Sequence, residues 1–364
     1  MARQSLGRVS ASLVLMMHIA IFDSLLEEHL ASSLADALRG QGHEIISTGL
    51  LGRTVFPLQT WQSRVRIERE FEAIVAAKPD VLVNFRPGSL SPAMLIRLRQ
   101  AGIRSVVWLA DDPVLYKSLY QHVVDLYDLV LHAGGADILA FYQKMGHKPG
   151  VNFPFWCEPP KDGNVYNVSK TSTDFVFLGN AVGPVKTKRN EILARFGARI
   201  CCYGKTDRPE LGIFKSYLSD PKSTTQALLS GRLAVNIPQF FGDYAGSDNY
   251  FPGIEGFGSF YLPSRVVQYA ALGLPYISLG VREVNKHLPE FRVIDTLGLE
   301  GIEAELGGID PTQLQDFSAS LLMQHKENFS PNARAHFLIY LLTKINVIER
   351  SDFVQSEFLY RNYR

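Results

Sequence analysis

Along the first 155 residues, continuous apolar runs alternate with stretches whose apolar positions recur every three or four residues. Leu13–Phe22 is such a run, and the shorter segments His43–Thr48, Asp80–Phe85, Arg104–Leu109, Leu126–Leu131 and Gly150–Phe155 read as further strands. Unbroken apolar runs of this length fit strands buried on both faces of a parallel sheet. Between them, Leu26, Leu30, Leu34, Ala37 and Leu38 keep helical spacing, as do Ile67, Phe71, Ile74 and Val75. Ser91 followed by Pro92 is an N-cap and first-turn proline, opening a helix that ends near Gly102. A helix is predicted at about 114–125, and another runs from the segment His132 to Gly135 down to Gly146. Strand and helix in alternation imply right-handed βαβ units and a doubly wound sheet.

The pattern breaks over 156–173, where Pro159, Pro160, Asp162 and Gly163 stand among Ser, Thr and Asn, and this reads as a linker. A second unit then begins. Asp174–Leu178 is a strand, Gly179–Gly183 a loop, about 186–196 a helix and Arg199–Tyr203 a strand. A helix near 222–229 and the strand Leu233–Ile237 follow. Pro263 suits the first turn of a helix over about 264–272, Gly273 its left-handed stop, and Pro275 prevents resumption before the strand Tyr276–Leu279. Helices near 311–326 and 332–347 close the pattern. The reading is α/β, two Rossmann-like doubly wound domains, 1–155 and 174–349.

Composition supports this. The 364 residues exceed one ordinary core, and 46% hydrophobic content is enough for two. A net charge of +1 excludes a general nucleic-acid binder. Cys157, Cys201 and Cys202 form no disulfide framework and no C-x-x-C, which points to reduced thiols and the cytoplasm. Arg3 and Arg8 before the run Ala11–Phe22 have the look of a signal peptide. Asp23 follows directly, however, and no small-x-small site is present, so the run is read as a first strand. No run reaches the roughly 18 apolar residues of a spanning helix.

Ligands of doubly wound sheets sit beyond the carboxyl ends of the strands, and that rule selects the chemistry. Arg265 and Gln268 share one helix face, and Arg265 adds a bidentate donor fork to a positive helix end, a setting for an anionic ligand. A packing helix with a solvated arginine explains the same residues. Gly179 to Gly183 let backbone N–H groups approach a phosphate, with Lys186, Lys188 and Arg189 following. Pro184 and Val185 exclude a Walker A loop, and glycine after a strand also makes an ordinary tight turn. The long loop 238–262 mixes aromatics with glycines and suits either a ligand or a protein contact. In the first domain, Asp111 and Asp112 end the fourth strand. One could serve as a general base, while Asp112 before Pro113 also fits a helix cap. His132 is a second candidate base, or a cap for Gly134. Adjacent aspartates and scattered histidines give no metal constellation.

In order along the chain, Val107 to Pro113, Asp128 to His132 with Tyr142 to Gly146, Asp174 to Gly179 with Arg189, Tyr203-Gly204, Val235 to Ile237, and Arg265 to Gly273 resemble the GT-B glycosyltransferases. The likeness is nearer to the spore-maturation CgeB-type enzymes. It covers roughly 80–280. The resemblance implies two domains facing a cleft and a nucleotide-sugar donor in the second. Donor contacts would come from Gly179, Asn180, Gly183, Lys186, Arg189, Tyr203, Gly204, Asn236, Arg265 and Gln268. It implies catalysis by Asp111, Asp112 or His132, no metal and no cofactor. Gln268 stands where the family usually has glutamate, and Phe260 where relatives often have another. These departures leave a non-catalytic binding or assembly protein, or a sugar-nucleotide epimerase, as alternatives. The implied partners are the donor and a glycan, lipid-linked or protein acceptor, with peripheral membrane contact compatible and no nucleic acid. The resemblance also implies that the final segment, 350–364, crosses back to the first domain.

Overall fold

The computed structural model describes residues 16–23, 30–48, 61–85, 87–110, 115–182, 187–215, 218, 220–237, 262–279, 288–294 and 309–348. The first sheet contains β1 (His18–Phe22), β2 (Glu44–Ser47), β3 (Val81–Asn84), β4 (Arg104–Leu109), β5 (Leu129–His132) and β6 (Val151–Asn152). Its order is β2-β1-β3-β4-β5-β6, and every pairing is parallel. Alternation along the strands sorts the core. Ile19, Ile21, Val81, Val83, Val106 and Trp108 face one side, with the buried residues of α1 (Leu30–Gly40). Ala20, Phe22, Leu82, Val107 and Val130 face the other, against α2 (Trp61–Ala77), α3 (Pro92–Gln100) and α4 (Ala136–Lys144). Ser91 caps α3 as its sequence implies, its hydroxyl accepting from the N–H of Met94 at 3.3 Å.

The second sheet holds β7 (Thr173–Leu178), β8 (Ile200–Tyr203), β9 (Phe214–Lys215), β10 (Gly231–Asn236), β11 (Tyr276–Leu279) and β12 (Arg292–Ile294), in the order β12-β11-β10-β7-β8-β9. Chain order therefore reverses between β7 and β10. This is the topological switch point at which such sheets bind ligands. The helices are α5 (Thr187–Ala194), α6 (Pro221–Leu229), α7 (Ser264–Ala271) and α8 (Pro311–Asn328). The last helix, α9 (Pro331–Ile348), returns to the first domain. Ala335, Phe337, Leu338, Leu341 and Leu342 complete that core, and the Arg104 guanidinium donates to the Leu342 carbonyl. The segment 350–364 lies outside the described residues.

Three local expectations change. The helix expected at 114–125 is instead a run of turns ending in short 3-10 turns, Tyr120–His122 and Val124–Leu126. Its apolar positions still recur helically, but the closures vary. Leu119 N–H bonds to Leu115, Tyr120 N–H also to Leu115, and His122 N–H to Leu119. The Tyr116 hydroxyl is tied to His147 at 2.8 Å, and tertiary anchoring of this kind overrides a regular ladder. Pro263 is the residue before the first helical position of α7 rather than within its first turn. The strand expected over 150–155 shortens to two residues, because Phe153, Phe155 and Trp156 turn into an aromatic cluster with Trp108.

Two chain passages join the domains, and they touch. Trp156 is fully buried, and its indole N–H donates to the Leu30 carbonyl at 3.0 Å. Next to it, Cys157 N–H bonds to the Phe329 carbonyl at 3.2 Å, and His325 Nε2 donates to the Cys157 carbonyl at 3.0 Å. Arg334 is also buried, its guanidinium 5.2–5.7 Å from the rings of Phe153, Phe329 and Phe337 and bonded to the Asn328 carbonyl. Burial pulls the His325 pKa down to about 4, outweighing the bond to Cys157 that favours the cation. Since the folded value lies below the ordinary 6.5, the unfolded chain binds the proton first. His325 therefore contributes stability that is present above pH 6.5 and is lost as pH falls towards 4, up to about 3 kcal/mol at 1.36 kcal/mol per pKa unit. Urea melts of wild type and His325→Gln between pH 7.5 and 4.5 should converge as pH falls. A constant difference would refute this assignment.

Candidate functional site at the switch point

Pairing between β7 and β10 reaches only Ala234 opposite Val176. Beyond it the strands part, and side chains bridge the gap. The Tyr269 hydroxyl accepts from Leu178 N–H at 3.1 Å and donates to the Val235 carbonyl at 3.3 Å. Tyr269 is fully buried, which pushes its phenol up to about 12, so it stays neutral. Further along the gap two guanidiniums meet. Arg189, from α5, donates to the Asn180 carbonyl at 2.8 Å and the Ile237 carbonyl at 2.9 Å. Arg265, from α7, donates to the same Ile237 carbonyl at 3.1 Å and to Asn236 Oδ1 at 3.1 Å. Both lie near the Phe177 ring, at 5.8 and 5.4 Å from its centre. One carbonyl and one aromatic ring thus hold two cations together, at the end of the sheet where ligands bind. Like charges brought this close repel, and an anion placed between them is stabilised.

The loops after β7 and β8 form the wall of this site. Gly179 N–H bonds to the Tyr203 carbonyl at 2.9 Å, and Ala181 N–H to the Lys205 carbonyl at 2.7 Å. The Asn180 side chain accepts from Lys205 N–H at 2.9 Å. Asn190, fully buried on α5, donates to the Ala181 carbonyl and to Asp207 and accepts from Thr206. A Cβ on Gly179 would stand 2.7 Å from Arg265 Nη1, and one on Gly204 would stand 2.2 Å from the Gly179 carbonyl oxygen. Glycine at both positions is what lets the two loops and the guanidinium close together. α7 ends as its sequence implies, with Gly273 N–H on the Ala270 carbonyl and Leu274 N–H on the Tyr269 carbonyl.

The structure therefore brings together Gly179, Asn180, Arg189, Gly204, Asn236 and Arg265. Asn180 and Arg189 are engaged with backbone groups of the loops. Tyr203 contributes its carbonyl, and burial raises its phenol. Gln268 is half-buried one turn after Arg265 on α7. Gly183 and Lys186 lie outside the described residues, as do Phe260 and the loop 238–261. Sequence reading missed Tyr269 and Asn190. Neither has a local signal, since the role of each depends on strands distant in the chain.

In the first sheet order reverses between β1 and β3, and buried Asp23 and Asn84 stand at those strand ends. Asp111 and Asp112 lie outside the described residues, just beyond Ala110 at the end of β4. His132 is an interior side chain, 0% exposed, with its ring 4.4 Å from that of Tyr142. A Cβ on Gly150 would come within 2.4 Å of its Nε2. Such packing under α4 suits a structural histidine better than a base that must reach substrate. Among the described residues no group of three or more His, Cys, Asp or Glu side chains is placed to hold a metal. Among them, too, no helix is long and apolar enough to cross a membrane.

No protein-family model matches the chain, and no curated protein sequence does. Solved structures do. AviGT4, a glycosyltransferase involved in avilamycin A biosynthesis, aligns over 91% of this chain and 98% of its own, with a TM-score of 0.55 and 14% identity. TarM aligns over 76% of this chain and 58% of its own, with a TM-score of 0.50 and 10% identity. The chain thus has the two-domain, doubly wound α/β fold that AviGT4 has, over nearly the whole of both proteins.

Proposed function

We propose that the chain is a glycosyltransferase that takes its donor, a nucleoside diphosphate sugar, at the switch point of the second domain. The observation that carries this reading is the convergence of Arg189 and Arg265 on the Ile237 carbonyl where β7 and β10 part. A diphosphate bound there would face two fixed positive charges and the loop wall at Gly179. When the sugar leaves, negative charge grows on the diphosphate, and guanidiniums already in place stabilise it without reorganisation. No metal is needed for that step in this reading. The Gln268 side-chain oxygen is buried and has no hydrogen-bond donor among the described residues, a position that suits a ribose hydroxyl.

In the first domain the acceptor hydroxyl would lose its proton to a carboxylate, Asp111 before Asp112, as its oxygen attacks the anomeric carbon. The bond from that carbon to the diphosphate breaks, and the leaving group departs with the electron pair. AviGT4 supports the sugar-transfer reading at the level of fold. The acceptor class, a glycan, a lipid-linked saccharide or a protein, is a further proposal that the experiment below addresses.

The test is a panel of nucleotide-sugars scored for nucleotide release with and without each acceptor class. Acceptor-dependent release supports transfer. Conversion of the donor to an epimer, or no turnover of any donor, overturns it. Calorimetry with UDP, ADP and GDP in excess chelator should show binding of one of them. Arg265→Ala should weaken it by about 1.5–3 kcal/mol, the range for a hydrogen bond to a charged group. Binding that needs Mg²⁺, or is indifferent to Arg265, would count against the reading.

A further inference from the structure

Arg265 is one end of a chain of side chains that crosses three neighbouring strands. Its Nε–H donates to Asn236 Oδ1 at 3.1 Å. Asn236 Nδ2 donates to Ser278 Oγ at 3.0 Å, and Ser278 Oγ donates to Glu290 Oε1 at 3.2 Å. Asn236 ends β10, Ser278 lies in β11, and Glu290 precedes β12. Asn236 is 6% exposed and Ser278 0%.

The two ends dictate the direction of every bond. A guanidinium can only donate, so the Asn236 oxygen must face it and the amide nitrogen must face Ser278. Ser278 then accepts from Asn236 and has its own proton for Glu290, and a carboxylate can only accept. Cation, amide, hydroxyl and anion are thus polarised in one sense, the arrangement in which successive hydrogen bonds strengthen one another. Glu290 is itself fixed by its surroundings. The Tyr276 hydroxyl donates to the Leu288 carbonyl, and Phe291 N–H bonds to the Tyr276 carbonyl at 2.9 Å. These hold the turn carrying Glu290 against β11.

We propose that Glu290, acting through Ser278 and Asn236, is a positioning residue that fixes the plane of the Arg265 guanidinium at the switch point. The consequence for ligand affinity rests on the donor-site reading above; the relay itself does not. Without an acceptor at position 290, the Ser278 hydroxyl turns to another partner and Asn236 can rotate its amide. The Arg265 fork keeps its bond to the Ile237 carbonyl but loses the Asn236 bond that sets its plane. An arginine that must be reoriented on binding contributes less than one already in place.

The test uses the full chain with ¹⁵N-labelled arginine. The Arg265 Nε–H signal, assigned by its loss in Arg265→Lys, should exchange slowly with solvent in the wild type. Glu290→Leu and Ser278→Ala should speed that exchange roughly tenfold, about the loss of one hydrogen bond. Glu290→Gln keeps an acceptor oxygen and should stay near the wild type. Inorganic pyrophosphate and UDP should bind Glu290→Leu about fivefold or more weakly than Glu290→Gln, again near the value of one hydrogen bond. In the Arg265→Lys background, Glu290→Leu should add no further loss, whereas a merely structural role would weaken both backgrounds alike. Unchanged Arg265 exchange in Glu290→Leu overturns the relay. If the wild type binds neither pyrophosphate nor UDP, the donor-site reading fails, while the exchange rates still decide whether the relay exists.

Discussion

Gly204→Ala should lower stability by roughly 3 kcal/mol or more and abolish nucleoside diphosphate binding, since overpacking and backbone strain each cost about 1–3 kcal/mol and both apply. The added Cβ would stand 2.2 Å from the Gly179 oxygen, 2.7 Å from its carbonyl carbon and 3.3 Å from Asn180 N. All three are backbone atoms, so no rotamer change relieves the clash. Gly204 also has φ +150°, which side chains rarely adopt. Relief requires the loops after β7 and β8 to separate. Their bonds Gly179 to Tyr203, Ala181 to Lys205 and Lys205 to Asn180 would then be lost together, and the Asn180 carbonyl would move away from Arg189. Gly212→Ala is the control. Gly212 has φ +66° with nothing within 4 Å of a Cβ, so it should cost only the left-handed strain of about 1–2 kcal/mol. Denaturant melts and calorimetry on the two variants test this. A Gly204→Ala protein as stable as Gly212→Ala would mean that the two loops do not lie against each other.

The sheets were legible because a parallel strand covered on both faces is written as an unbroken apolar run. Ile19 to Phe22, Leu82, Val83 and Val106 to Leu109 are such runs, and each is buried. The short strands Phe214–Lys215 and Arg292–Ile294 were not legible, since two or three residues carry no period. Arg265 could be picked out because it stands in the first turn of a helix bounded by Pro263 and Gly273, all within one local stretch. Ser278 and Glu290 could not, and Asn236 could be named only as a donor contact that the resemblance implies. Asn236, Ser278 and Glu290 are separated along the chain and meet only when β10, β11 and β12 lie side by side. Asn180 is a donor contact in the resemblance, and its side chain also accepts from Lys205 N–H, a bond that appears only when the two loops face each other. His132 was read as a possible base because it ends a strand. Side chains alternate along a strand, however, and at this position the alternation turns the ring under α4 towards Tyr142. Which face a strand-end residue takes depends on register with its neighbours, and a single run does not reveal that register.

Asp111→Asn should reduce transfer by about 10²–10⁴, the usual contribution of a positioned general base, while leaving donor affinity nearly intact. β4 is a central strand of the first sheet, paired with β3 and β5 on either side. Its carboxyl end, just past Leu109 and Ala110, is on the edge where doubly wound sheets take their ligands. A carboxylate there can accept the proton of an acceptor hydroxyl as the new glycosidic bond forms. The two aspartates should differ. The segment that follows Asp112 and Pro113 is a run of turns rather than the helix that Asp112 would cap, and Asn caps as well as Asp, so Asp112→Asn should be the milder change in both transfer and melting temperature. His132→Ala removes a ring packed against Tyr142 and beside Gly150, and its main effect should be a cavity in the first domain. Its kcat per folded molecule should stay close to that of the wild type. Steady-state kinetics on the three variants, each corrected for the folded fraction, separate these outcomes. An active Asp111→Asn beside a well-folded but inactive His132→Ala would transfer the role of base to His132 and require the α4 packing around it to open during the reaction.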